Sequence, residues 1–115
     1  MRYLFFISTA TDAEPYRADE DDIAEWVAEM RRSGAGIAGD RLRPPDDATT
    51  VKKRDGQVLV TDGPFAEGKE WIAGYDLVEA PDLDAAIAMA SRHPMARFGQ
   101  IEIRPLWPLD LPAAE

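Results

Sequence analysis

The chain contains no cysteine. That removes disulfides, thiolate metal sites and a thiol nucleophile together, and nothing calls for an oxidising compartment, so a cytoplasmic setting is expected. Histidine occurs once, as His93, and without cysteine beside it a zinc site is not expected. No apolar run approaches the roughly 18 residues of a membrane span, so a membrane is not an expected partner. The opening Tyr3-Leu4-Phe5-Phe6-Ile7 is short, and Thr11, Asp12 and Glu14 come soon after it, so it reads as a buried strand rather than a signal peptide. Positive charge is scarce: 13 Lys and Arg stand against 22 Asp and Glu, for a net charge of −9. Neutralising phosphates needs clustered basic residues, so nucleic acid is not an expected partner either. The one short basic run, Lys52-Lys53-Arg54, lies in a strand whose neighbours point to opposite faces. Gly34-Ala35-Gly36 leaves a helix and enters a strand, the reverse of the order a phosphate loop requires. No cofactor is implied, and no carboxylate spacing argues for a hard cation.

What is present suffices for one ordinary domain over residues 1–115, a length that buries roughly 65% of its unfolded surface. Tyr3 to Ile7 fits a central strand covered on both faces. Asp19 to Asp22 would load the first turn of a helix with negative charge. Its stripe is Ile23, Trp26, Val27 and Met30, and Gly34 is placed to end it. Ala35 to Leu42 reads as a short strand. Thr49–Arg54 and Gln57–Thr61 flank Asp55-Gly56, a strong hairpin signal. Trp71 to Ala80 is the longest strand, and Asp82 caps a second helix with the stripe Leu83, Ala86, Ile87 and Ala90. Pro94 ends that helix, and Gln100 to Leu106 is the last strand. The order predicts an α+β, ferredoxin-like βαββαβ fold with an inserted β-hairpin, its antiparallel sheet covered by two helices on one face. The other face then wants a partner surface, and self-association into a homodimer is the expectation. Trp71, Tyr75, Phe98 and Trp107 exceed what two amphipathic helices need.

Several side chains are candidates for chemistry. Glu102 and Arg104 alternate with Ile101 and Ile103, so they point to the open face. Asp76 shares a side of its strand with Ile72, Gly74 and Val78. It either meets solvent or a cross-strand cation, or it is a buried acid–base or ligand-anchoring carboxylate. His93 either caps the end of its helix in the protonated form or serves as a general acid–base group. The segment from Asp62 to Glu70 is the most informative. Asp62 suits an Asx turn, Gly63 gives freedom in φ, and Pro64 stiffens the chain after it. Glu67, Lys69 and Glu70 place alternating charges before the central strand.

Asp62-Gly63-Pro64-Phe65-Ala66-Glu67, with Lys69-Glu70 and Gly74-Tyr75 after it, resembles the signature of the YCII-related, or DGPF, domain family. Met1-Arg2-Tyr3-Leu4, the Asp-Gly hairpin, Pro81-Asp82-Leu83-Asp84-Ala85-Ala86 and Ile101-Glu102-Ile103-Arg104-Pro105 fall in the family's order. The resemblance implies a dimeric α/β barrel, in which two sheets face each other and enclose a cleft. Relatives in the wider fold group include cofactor-free monooxygenases, lactone isomerases and dehalogenase- or dehydratase-like enzymes. Some members of the family are linked to extracytoplasmic-function sigma factors. Asp62, Pro64, Phe65, Glu67, Lys69 and Arg104 match the family pattern, whereas Gly68 stands where Thr or Ser is usual. The YCII branch uses a histidine–aspartate pair whose histidine comes early, and residues 9–22 hold no histidine here.

Two functions are expected on these grounds. The first is a homodimer that binds a small polar or anionic organic molecule in the inter-sheet cleft. In it Asp62, Lys69, Asp76 and His93 are candidates for acid–base work, and Pro64, Phe65, Glu67 and Arg104 for ligand contact. The second is a non-catalytic interaction module, for instance an accessory regulatory protein partner in sigma-factor-linked transcription.

Overall fold

The computed structural model describes residues 1–64 and 68–111. Six strands and three helices run in the order β1 (Arg2–Ser8), α1 (Ile23–Ser33), β2 (Gly36–Arg41), β3 (Thr49–Arg54), β4 (Gln57–Asp62), β5 (Ile72–Glu79), α2 (Leu83–Ser91), α3 (Met95–Phe98) and β6 (Gln100–Pro105). The main sheet has the order β2-β5-β1-β6 with antiparallel pairing throughout, which is the ferredoxin-like arrangement expected. β3 and β4 form a separate two-stranded sheet. Its turn is Asp55-Gly56, with φ of 51° and 76°, the positive pair that a type I′ hairpin demands. Among the described residues, no helix is long and apolar enough to cross a membrane.

Strand alternation divides the sheet cleanly. Tyr3, Phe5 and Ile7 of β1 and Val78 of β5 are buried beneath the helices, and Phe5 and Val78 are wholly enclosed. Ile101 and Ile103 of β6 pack onto the same core, as their alternation predicts. Leu4, Phe6, Tyr75 and Leu77 point the other way and are only half-buried. β1 is therefore central, but among the described residues the helices cover only one of its faces. The molecule's shortest dimension, 20 Å, is that of one sheet and one helix layer.

The helices depart from their expected form in three ways. Asp19 and Glu20 lie in a separate 3₁₀ turn before α1, and the N-cap is Asp22. Asp21 Oδ1 accepts from the Ile23 amide at 3.1 Å, so the acidic run shapes the approach to the helix instead of filling its first turn. In α2, Ala86 and Ala90 are buried, but Leu83 and Ile87 are about half exposed (49% and 48%). Small alanines let α2 sit close to the sheet and push the larger residues to the rim. Finally, the chain turns again after Pro94 into α3. There Phe98 is buried with its ring centre 5.3 Å from that of Tyr16 in an edge-on contact, so it belongs to the core rather than to an open surface. The Asp82 cap is as expected, accepting the Ala85 amide at 2.8 Å.

Candidate functional site

Asp76 points to the helix side of the sheet, and its register explains its surroundings. Across β5 it pairs with Phe5 on one flank and Gly39 on the other. A Cβ on residue 39 would collide with Asp76 Oδ1, so glycine there makes the room the carboxyl occupies. The side chain is 21% exposed, and none of its oxygens takes part in a hydrogen bond among the described residues. Burial beside Phe5, with the Asp40 carboxylate on the neighbouring strand adding repulsion, raises its pKa from 3.8 to about 6.

His93 comes just after α2 and is 5% exposed. Its Nδ1 accepts the Met95 amide at 3.0 Å, and its Nε2 faces Asp76 Oδ2 at 3.8 Å. An imidazole that accepts at Nδ1 carries its proton on Nε2, and adding a second proton would set donor against donor. Burial acts in the same direction. It lowers the pKa to about 4, against the pull of Asp21 and Asp22. The two groups are therefore a neutral histidine facing a carboxyl group, not an ion pair, and 3.8 Å is beyond a direct hydrogen bond. Trp26 fixes the ring, meeting it edge-on at 4.7 Å while its own Nε1–H donates to the Met89 carbonyl at 2.9 Å. The protonated helix-end role considered for His93 is thus replaced by a neutral, buried one.

Asp76 closes one end of a groove of about 280 Å³ between α1 and β2. Trp26, Met30, Ile37 and Val78 give it apolar walls, and Arg31 also lines it. Its surface mixes polar and apolar groups, with Asp76 and Arg31 as the charged side chains.

The remaining candidates lie elsewhere. Asp62 ends β4 and is exposed, as are Pro64 and Lys69. The start of the Asp-Gly-Pro-Phe loop is tied down by the Gly63 amide on the Ala48 carbonyl at 2.8 Å and by the Thr50 hydroxyl on the Gly63 carbonyl at 2.7 Å. Phe65 and Glu67 lie outside the described residues. Arg104 is on the open face as its alternation predicts, with Nε 2.8 Å from Glu102 Oε2 and its guanidinium 5.9 Å from the Phe6 ring centre. The structure therefore brings Asp76 and His93 together and leaves Asp62, Lys69 and Arg104 apart from them. Sequence reasoning missed Gly39, Arg31 and the role of Trp26. Trp26 reads as core in a helical stripe, and Gly39 acquires meaning only once β2 is aligned with β5.

The family model for the YCII-related domain matches residues 1–110. An uncharacterised protein of Rhizobium meliloti (strain 1021) is 40% identical over 68 residues, which cover 57% of this chain and 55% of that protein. The chain thus spans about half the length of the curated relative it matches.

Proposed function

The chain belongs to the YCII-related domain family, and from that premise and the geometry of the groove we propose that it binds a small organic molecule and performs acid–base chemistry on it with Asp76 and His93. The observation that carries this reading is a half-buried carboxyl group that lines an open groove, takes no hydrogen-bond donor among the described residues, and faces a neutral histidine buried behind it. A base works best when its pKa lies near the working pH, and about 6 suits Asp76 to that task. His93 is not the base, because Nδ1 is occupied and Nε2 holds its proton. Buried behind the carboxyl group, it turns that N–H towards Asp76 and holds the base in place while Asp76 takes a proton from the substrate. The ligand belongs on the helix side rather than in the inter-sheet cleft, since Asp76 faces the helices and Arg104 already has Glu102.

The working form in this proposal is a homodimer. The half-buried Leu4, Phe6, Tyr75 and Leu77 support it, as do Val51, Val58 and Val60 on the β3–β4 hairpin, exposed by 64%, 62% and 61%. A two-stranded hairpin is marginal alone in water, and a second copy would cover these faces. The same valines favour a second reading, a non-catalytic module that docks a regulatory protein. Sedimentation that finds only monomer at high concentration would favour that reading over the homodimer.

Nuclear magnetic resonance tests the acid–base pair directly, because His93 is the one histidine in the chain. The Asp76 carboxyl carbon should titrate near pH 6, with the His93 ring responding in step, and Asp76→Asn should abolish the response. An Asp76 that titrates with the exposed carboxylates while His93 stays silent would sink the proposal.

A further inference from the structure

The groove holds two opposite charges that are not joined to each other. Asp76 lines one end, and Arg31 lines the same groove yet makes no ion pair among the described residues. Pairing fixes where each sits. Trp26 touches the His93 ring, which faces Asp76, and Gly39 is opposite Asp76; these define the acidic end. Gly36 is opposite Val78, and a Cβ there would lie 3.1 Å from Met30 Cβ; these define the other end, one residue from Arg31 along α1. From Asp76 to Val78 is about 7 Å along a strand, and from Trp26 to Arg31 about 7.5 Å along a helix. Between the ends, Met30 and Ile37 supply apolar surface.

Resting on the acid–base reading of Asp76 and His93, we infer that this groove takes a small amino- or hydroxy-carboxylate, its N–H or O–H donor on Asp76, its carboxylate on Arg31, and its apolar chain lying along α1 and β2. The about 280 Å³ available equals roughly nine waters, so the ligand has on the order of ten non-hydrogen atoms. Asp76, which takes part in no hydrogen bond among the described residues, then acquires a partner, and the exposed Arg31 exchanges water for a carboxylate. A ligand without the donor leaves Asp76 unpartnered, and one without the carboxylate forgoes the attraction of Arg31. Discrimination therefore comes from both ends together.

The chain has three tryptophans, so Trp71→Phe with Trp107→Phe leaves Trp26 as the reporter in the groove wall. The probes are 6-aminohexanoate, hexanoate and hexylamine. The first is expected to change Trp26 emission saturably, and the other two to bind about tenfold more weakly or worse. Arg31→Gln should erase the advantage over hexylamine, and Asp76→Asn the advantage over hexanoate. Equal binding of all three, or no saturation by 6-aminohexanoate, overturns the inference. The His93 titration separates this result from the reading beneath it. If that titration still responds to Asp76→Asn when 6-aminohexanoate fails, the acid–base pair stands and the ligand class falls. If the titration is silent but the bifunctional probe binds with the stated preference, the groove stands as a binding site without acid–base chemistry.

Discussion

Asp76 and Arg104 sit on strands flanking β1, on opposite faces of one sheet, and their circumstances differ in every physical respect. Arg104 is exposed, bonded to Glu102 two residues away, and lies over Phe6; its charge is spent on a neighbour in water. Asp76 stands beside the enclosed Phe5, has no donor among the described residues, and faces an imidazole that burial keeps neutral. Charge on the solvent side of a sheet is cheap to place and does little. On the helix side it costs desolvation, and the protein meets that cost by shifting a pKa rather than by pairing the group. A titratable group kept in that state is available for a ligand.

The contrast breaks most visibly in stability against pH. Between about pH 4 and 6 the folded chain keeps a proton on Asp76 that the unfolded chain has released, so Asp76 makes stability fall as pH rises through that window. His93 acts oppositely. From pH 6.5 down to about 4 the unfolded chain binds a proton that the folded chain refuses, so stability is lost as pH falls. In the native protein the two slopes largely cancel. Relative to it, His93→Gln should lose stability as pH rises from 4 to 6, and Asp76→Asn should gain it. Each change is on the order of 2–3 kcal/mol across the window. Urea denaturation of the three proteins at several pH values checks this, and parallel profiles would mean the pair does not titrate as described.

Gly39 sharpens the same comparison sterically. Gly39→Ala forces a methyl group against Asp76 Oδ1 and within 2.9 Å of the Tyr75 carbonyl, and should destabilise by about 1–3 kcal/mol. Combining it with Asp76→Ala should recover part of that loss, because the side-chain clash disappears while the backbone contact remains. Thermal denaturation of the two single variants and the double variant gives the coupling, and strict additivity would show that Gly39 does not serve Asp76. The smallest effect belongs to the open face. Arg104→Ala should cost under about 1 kcal/mol and shift neither the Asp76 nor the His93 titration. A shift in either would show that the two faces communicate.

Much of the fold was legible in residues alone. Alternation placed Ile101 and Ile103 against the core with Arg104 outside, and the Asp55-Gly56 turn and the Asp82 cap announced themselves by local chemistry. Helix faces were less legible. Leu83 has the right period for burial, yet the close approach of Ala86 and Ala90 to the core leaves it at the rim. The site was legible only in fragments. Asp76 and His93 were each suspect on their own, but they are 17 positions apart, and no local pattern says that one faces the other.

The strands, the first helix and the hairpin turn follow from residues a few positions apart, and the acidic surface from composition. Tertiary structure alone decided that Gly39 lies opposite Asp76, that Trp26 holds His93 with its Nε2 towards that carboxyl, and that Arg31 lines the same groove as Asp76. Register and helix docking set those relations between residues far apart in the chain, and the pKa shifts that give the pair its chemistry come from the burial that results.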